Sequence, residues 1–334
     1  MRSGHREVAL PVPAEEAWRE LVSPHRRDWY FGLTPEGVFE VGSHIRWLDA
    51  SGNAAVETDI VEVRPGRHMT LRNRFVFTPH LAALEPHRAT WDVTPVDAGC
   101  EVRSSWQADE PIAALLEEDA GNMLRGLRLA LDPAARAEIA RKDTIGDLEI
   151  RDVTPDRVAD YQSYFDHDAF RDYPSWQFCY CMESHRTQSD DEWSLRTGQD
   201  NRRDMSEKIS SGEVTALLAY EEGKPVGWCN YGETTHLAGV VHKFGLEAAD
   251  HQGVGSIACF VIASPYRGHG VASRLLDAAV ARLRARGLRA VEAYPGRQGT
   301  SAQSHYRGPL SMFLRAGFEP YRETERYIVV RKQL

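Results

Sequence analysis

Ile257-Ala258-Cys259-Phe260-Val261-Ile262-Ala263-Ser264-Pro265-Tyr266-Arg267-Gly268-His269-Gly270-Val271-Ala272 is the stretch that decides the fold of the C-terminal half. Its front, Ser256 to Ala263, is a continuous apolar run of the length expected for a central buried strand. The turn Arg267-Gly268-His269-Gly270 leads at once into a helix. Val271, Ala272, Leu275, Leu276, Ala279, Val280 and Leu283 form that helix's apolar face. The first amides of a helix have no internal acceptor and the helix dipole is positive there, so a phosphate group is held by backbone donors. Gly268 and Gly270 carry no Cβ and let an anion approach the main chain, with Arg267 adding positive charge.

The same half continues outward from this core. A strand is expected at Leu148–Val153, then a helix introduced by Thr154-Pro155 and running to His167. An aromatic, cysteine-containing loop follows, Trp176-Gln177-Phe178-Cys179-Tyr180-Cys181. Asn201–Ser211 reads as a short helix ended by Gly212. Val214–Tyr220 and Pro225–Tyr231 form a hairpin around Glu222-Gly223-Lys224. After the motif helix come a strand Ala290–Tyr294, a helix Ser311–Ala316 ended by Gly317, and a strand Arg326–Arg331 closing the sheet.

The turn resembles the pyrophosphate-binding motif of the GNAT acyltransferases, Gln/Arg-x-x-Gly-x-Gly/Ala, met here by Arg267, Gly270 and Ala272. Further matches are Ala219-Tyr220 through Pro225-Val226-Gly227-Trp228 and Phe313-Leu314-Arg315-Ala316-Gly317-Phe318. The resemblance covers 148–334. It implies a mixed, splayed sheet flanked by helices and acetyl-CoA as co-substrate. It also implies that the main chain of Cys259, Phe260, Val261 and Ile262 pairs with the pantetheine. The amides of Gly268, His269, Gly270, Val271, Ala272 and Ser273 then hold the pyrophosphate beside Arg267. The implied reaction is direct attack of a primary amine of a small molecule on the thioester. A backbone amide near Phe260–Val261 serves the oxyanion.

The family's usual acid, a tyrosine four residues before the late Gly-Phe, is replaced here by Phe313, which cannot donate a proton. Tyr306 and Tyr294 are the alternatives, and Tyr306 is the expected catalytic residue. Glu292, near the end of the strand after the motif helix, is the expected base. Cys179-x-Cys181 with His185 lacks the four ligands in tighter pairs that structural zinc takes, so no metal is expected. Trp176, Cys179 and Cys181 are read as lining the acceptor pocket.

The N-terminal half has a different pattern. Pro13 begins a helix with Ala17, Trp18, Leu21 and Val22 on one face. Alternating strands follow: Met69, Leu71, Phe75 and Phe77 fall on one side, Thr70, Arg72 and Arg74 on the other. Cys100, Val102, Ser104 and Trp106 alternate with Glu101, Arg103, Ser105 and Gln107. A long helix, Ile112–Leu131, closes the unit. The order of elements, the opening Val8-Ala9-Leu10-Pro11-Val12-Pro13-Ala14-Glu15-Glu16-Ala17-Trp18 and Gly42 leading to Asp49-Ala50-Ser51-Gly52 resemble the START-like (SRPBCC) superfamily over residues 3–131. That resemblance implies a helix-grip domain, a curved antiparallel sheet with a long C-terminal helix, able to enclose a hydrophobic ligand.

The expected whole is an α+β, mixed α/β chain of two domains, residues 1–140 and 147–334, divided at the polar stretch Asp132–Gly146. With 334 residues, two domains fit better than one at about 150 residues each. The net charge of −9 argues against a nucleic-acid binder, which needs a basic face. Five unpatterned cysteines, no apolar secretory leader and no apolar run of membrane-spanning length point to a reducing, cytoplasmic setting without membrane contact. A homodimer is compatible with this composition. The rival reading is a non-catalytic sensor that binds acyl-CoA in one half and a hydrophobic ligand in the other. A client-binding or co-chaperone role of the first domain is a third.

Overall fold

The computed structural model describes residues 1–246, 248–297 and 305–334, with only the backbone of Ala248 and Ala249. Two sheets organise it, each of seven strands. One compact unit comprises Met1–Ile139 together with Asp172–Trp176 and Gln188–Gly198. The other comprises Ala140–Arg171, Gln177–Thr187 and Gln199–Leu334. A single cut near residue 140 therefore does not separate them, because two excursions of the later chain belong to the first unit.

The first unit runs β1 (Arg2–Leu10), α1 (Ala14–Leu21), β2 (Thr34–Glu36), β3 (His44–Leu48), β4 (Ala54–Arg64), β5 (His68–Phe75), α2 (Pro79–Ala82), β6 (His87–Val96), β7 (Gly99–Ala108), α3 (Ile112–Leu131) and α4 (Pro133–Glu138). Its sheet is antiparallel throughout in the order β1-β7-β6-β5-β4-β3-β2. Every neighbour but β1–β7 is a chain neighbour, so short turns suffice to build it. α3 buries Ile112, Leu116, Met123, Leu124, Leu127 and Leu131 in the core. This is the helix-grip architecture that the START-like resemblance implies. Gly126 marks where α3 lies closest to the loop after α1: a Cβ there would stand 2.9 Å from the Trp29 main chain.

Two details differ from simple alternation. Phe77 lies beyond the end of β5 and is 52% exposed, so it does not continue the apolar face. Thr70 is buried, although its parity places it with Arg72 and Arg74. The β4–β5 register shifts between Ile60 and Glu62, with Val61 the extra residue on β4 just where Thr70 pairs.

His87 is buried at the start of β6, and burial holds its imidazole down to about 4. The unfolded chain takes up that proton near pH ~6.5, so stability from this site is present above ~6.5 and is lost as pH falls toward 4. Relative to a His87→Leu variant, the wild type should lose on the order of 3 kcal/mol between pH 7 and pH 4. Urea denaturation of both proteins at the two pH values measures it; an unchanged difference would show that His87 titrates normally.

The second unit runs β8 (Leu148–Asp152), α5 (Val158–His167), α7 (Gly198–Ser210), β9 (Ala216–Glu221), β10 (Lys224–Glu233), α8 (Ala238–Phe244), β11 (Val254–Ile262), α9 (Val271–Ala285), β12 (Ala290–Ala293), α10 (Leu310–Arg315), β13 (Glu319–Glu323) and β14 (Ile328–Gln333), while α6 (Asp190–Ser194) lies on the second excursion and belongs to the first unit. Its sheet order is β13-β14-β12-β11-β10-β9-β8. Only β11–β12 is parallel, and α9 makes that crossover. The expected closing strand is not at the edge: β14 lies between β12 and β13, and β13, exposed along its whole length, takes the edge.

Candidate active site in the second unit

β11 parts from β12 where its own geometry changes. Parallel pairing ends at Ile257–Ala293. On the other side, Asn230 pairs with Cys259 and Tyr231 with Ile257, so Ala258 is an extra residue on β11. A bulge of this kind bends its strand. The two strands therefore splay beyond Ile257, and the main chain of β11 gains an open edge. Ala263 N–H donates to Val226 C=O, which fixes the parity. Cys259 and Val261 turn their main-chain groups to β10, whereas Ala258, Phe260 and Ile262 turn theirs to the open side.

Part of that edge is engaged. Phe260 N–H donates to Tyr306 C=O at 2.6 Å. Arg307 Nη1 donates to Ala258 C=O at 3.0 Å, and Arg267 Nε donates to Ile262 C=O at 2.9 Å. The Phe260 amide, expected to serve the oxyanion, is thus committed to the chain itself. Phe260 C=O, approached among the described residues only by the weak Cys259 thiol donor at 3.8 Å, and Ile262 N–H complete the edge. Tyr164, which the sequence reading passed over, holds the strand from the far side. Its hydroxyl donates to Val261 C=O at 2.8 Å and lies 3.4 Å from Val226 C=O.

After β11 the chain turns through Arg267–Gly270. Gly268 and Gly270 both have φ near +78°, the left-handed region that suits glycine, and Gly270 is the N-cap of the fifteen-residue α9. A Cβ built on Gly270 meets nothing within 4 Å, so the N-cap is uncrowded, and the first-turn amides of Val271, Ala272 and Ser273 have no acceptor within the helix. The residues thus fit an anionic diphosphate: bare backbone donors, no side chain in the way, and cations close by. One of these cations was not foreseen. A Cβ on Gly268 would come within 3.1 Å of the Arg141 guanidinium carbon. Lys142, beside it, is pinned to the loop: its N–H donates to Pro265 C=O at 2.9 Å, and its C=O lies 2.8 Å from His269 Nε2. The side chain of His269 therefore faces the 140–142 segment, which comes from the stretch read as a plain linker.

The open edge also meets a buried ionic cluster. Glu183 lies 2.5 Å from Lys243 Nζ and 3.3 Å from Arg307 Nη2. Arg307 Nε donates to the Tyr306 hydroxyl at 3.1 Å and Lys243 Nζ approaches it at 3.3 Å. Arg307 also lies over the Phe244 and Tyr306 rings, each at 5.0 Å. Burial raises the Tyr306 phenol to about 12, against the opposing pull of Arg307 and Lys243. Burial would raise the Glu183 carboxyl too, but Lys243 and Arg307 more than offset it and hold it ionised. A buried arginine flanked by Tyr306 and Gly308 in an otherwise loop-like stretch was the only trace of this cluster in the sequence.

The other expected residues fall as follows. Glu292 is buried and does not reach the open edge. Arg331 Nε donates to it at 2.8 Å, the Tyr294 hydroxyl lies at 3.4 Å and His251 at 3.4 Å. It also pairs with Ser256, four residues before Phe260, about 13 Å back along the strand. A base at Glu292 is therefore replaced by a structural carboxylate. Tyr294 joins the same network, its hydroxyl 2.8 Å from Ser256 Oγ, which is itself 2.8 Å from Thr234 Oγ1. Phe313 is fully buried against Phe318, with ring centres 5.3 Å apart, and is a core residue. Cys181 is buried with φ +58°, its C=O accepting from Asn230 Nδ2 at 3.4 Å, and Asn230 also bonds His185 at 3.0 Å. Burial pushes the Cys179 thiol up to about 12 and the Cys181 thiol well above its usual value, so neither is a ready nucleophile. Trp176 falls in the first unit, Cys179 and Cys181 in the second. Among the described residues no group of three or more His, Cys, Asp or Glu side chains is arranged to hold a metal.

Residues 168–307 match the acetyltransferase (GNAT) family model, and this part of the chain is a GNAT acetyltransferase domain. The chemistry of that family is acyl transfer from an acyl-CoA. No curated protein matches the sequence. Among solved structures, the chain is similar to the PaiA N-acetyltransferase of Thermoplasma acidophilum in complex with coenzyme A. Identity is 13%, covering 57% of this chain and 100% of that one, with a TM-score of 0.36. It is also similar to Aha1 from Colwellia psychrerythraea, solved as a dimer, at 14% identity over 40% of this chain and 98% of that one, TM-score 0.33. Protein CV1439 of Chromobacterium violaceum is 20% identical over 39% and 97%, TM-score 0.31. Among the described residues no helix is long and apolar enough to cross a membrane.

Proposed function

We propose that the second unit transfers the acetyl group of acetyl-CoA to a primary amine of a small molecule by direct attack on the thioester. The observation that carries this reading is the conjunction of the splay at Ala258 with the bare cradle at Gly270. The amides of Gly268–Ser273, with Arg267 and Arg141 beside them, would hold the pyrophosphate. Phe260 C=O and Ile262 N–H flank Val261 with the spacing a β-ladder uses, and would pair with a pantetheine amide. Tyr306 is the residue we assign to proton donation. Its phenol stays protonated at neutral pH, and two cations against its oxygen stabilise the phenolate that donation leaves. Phe313 and Glu292 take no part. Cys179 and Cys181 remain candidates for the acceptor side of the pocket.

Calorimetry with acetyl-CoA followed by a thiol-release assay over a panel of primary amines tests the assignment. Tyr306→Phe should lower kcat by about 10²-fold, the lower end of general acid contributions, and leave the acetyl-CoA affinity within twofold. An unchanged kcat would remove Tyr306 from the chemistry. One observation favours the second reading, a non-catalytic acyl-CoA sensor: the amide of Phe260 is already bound to Tyr306 C=O. Tight acetyl-CoA binding with no turnover on any amine would establish that reading instead.

A further inference from the structure

The ionic cluster on the open edge of β11 carries a standing charge imbalance. α8 packs hard against the single turn Met182–His185: a Cβ on Gly239 would stand 1.8 Å from Glu183 C=O, so only glycine lets the helix come this close. Lys243 lies four residues further along α8, on the same face, and its Nζ is thereby brought to 2.5 Å from the Glu183 carboxylate. Arg307 Nη2 reaches the same carboxylate at 3.3 Å.

Two full cations thus share one anion. Among the described residues no other carboxylate forms an ion pair with Lys243 or Arg307. Tyr306 lies against both, but its phenol is protonated at neutral pH, and a phenolate there exists only while a proton is being given. The resting cluster therefore carries one net positive charge. Arg307 is 2% exposed, so water does little to screen it, and an anion from outside is favoured. Lys243 is the member that such an anion can reach, because its side chain keeps 25% of its surface open and Glu183 beside it keeps 23%. An ammonium has three donor hydrogens. Glu183 and the Tyr306 hydroxyl take two of those on Lys243, which leaves one to give.

We propose that the acceptor amine carries a carboxylate at its far end and that Lys243 Nζ receives it, with the Arg307 charge behind. The inference rests on the acyl-transfer reading of the same site and names its substrate class. The direction of the strand places the two ends. The glycine turn follows the C-terminal end of β11, so a pantetheine whose diphosphate lies at Gly268–Ser273 runs back along the strand, and its thioester end comes to Phe260. The guanidinium of Arg307 is held on Ala258 C=O, two residues further back, or about 7 Å along the strand. An amine at the thioester and a carboxylate at the cluster are therefore the two ends of a short ω-amino acid. The same net charge repels an acceptor with a second ammonium, so diamines and polyamines are poor substrates. Specificity then comes from one unbalanced cation, and Glu183 competes with the substrate for it.

The test measures thiol release from acetyl-CoA by the full chain with 4-aminobutyrate, n-butylamine and 1,4-diaminobutane, which share one carbon chain and differ at the far end. For 4-aminobutyrate kcat/KM should exceed that for n-butylamine about tenfold, the worth of one hydrogen bond between charged groups, and that for the diamine about 10²-fold. Lys243→Met should bring the ratio of 4-aminobutyrate to n-butylamine close to one. Because Lys243 also touches Tyr306, the rates on both amines fall together, and the ratio isolates recognition from chemistry. Glu183→Gln removes the competing anion and should raise the ratio severalfold, whereas a merely structural pair would leave it unmoved in both variants. A wild-type ratio at or below one overturns the proposal and leaves acetyl transfer standing. If no amine turns over, acetyl transfer falls instead, and calorimetry of the three amines on the coenzyme A-saturated protein decides the site. Binding of 4-aminobutyrate alone then supports the carboxylate site; no binding, or equal binding of all three, overturns it. The wild-type comparison decides even where a variant does not fold.

Discussion

Gly270→Trp is expected to abolish coenzyme A binding while the protein stays folded. The position has φ +78°, so a side chain there costs about 1–2 kcal/mol in backbone strain. No protein atom lies within 4 Å of the Cβ it would carry, so no core contact is lost. The indole must instead occupy the space over the first turn of α9, where the amides of Val271, Ala272 and Ser273 are exposed to a ligand. Losing two or more charge-assisted hydrogen bonds at about 1.5–3 kcal/mol each predicts a fall in affinity of at least 10²-fold. Calorimetry gives the affinity and a thermal melt gives the fold. Gly270→Ala is the control: it carries the same strain with little bulk and should retain measurable binding. Unchanged affinity in the tryptophan variant would mean that the diphosphate lies elsewhere.

Arg307→Met is expected to destabilise the second unit by about 3–5 kcal/mol, the cost of breaking a buried pair from one side. Arg307 is 2% exposed and serves Glu183, the Tyr306 hydroxyl and Ala258 C=O together. Methionine fills much of the volume but satisfies none of them. Glu183 keeps Lys243, so the carboxylate is not stranded, and the larger loss falls on the open edge of β11. Chemical denaturation should show a lower midpoint with an unchanged slope. Arg307→Lys should recover only part of the loss, because one ammonium cannot reach three acceptors in the planar guanidinium pattern. A midpoint within 0.5 kcal/mol of wild type would show that the cluster is a surface feature.

The parts legible in the sequence were those whose information is local. The apolar run of β11, the glycine turn and the face of α9 stand within thirty residues, and α3 has the bounds its periodicity gives. What was not legible depends on partners far along the chain. Glu292 looks like a free strand-end carboxylate until Arg331, on a strand inserted beside it, is in place. Phe313 is at the family's acid position yet is core, because Phe318 and Gly308 close around it. β13 has every residue exposed and hence no alternating face to detect. The Tyr306–Phe260 bond is a main-chain contact, and no side-chain pattern announces it.

The excursions Asp172–Trp176 and Gln188–Gly198 bear on how the chain is made. Leu195 packs on the core of the first unit and Gly198 N–H donates to Glu118 at 2.7 Å. A ribosome emits residues from the N-terminus at about 5–20 per second. The first unit's sheet and α3 are therefore out of the exit tunnel several seconds before residues 188–198 can reach them. During that interval the nascent unit lacks its last pieces, and the start of the second unit is already emerging. Synthesis order thus couples the completion of the first unit to a segment encoded within the second, and a gene truncated near codon 140 yields a first unit that has not been finished.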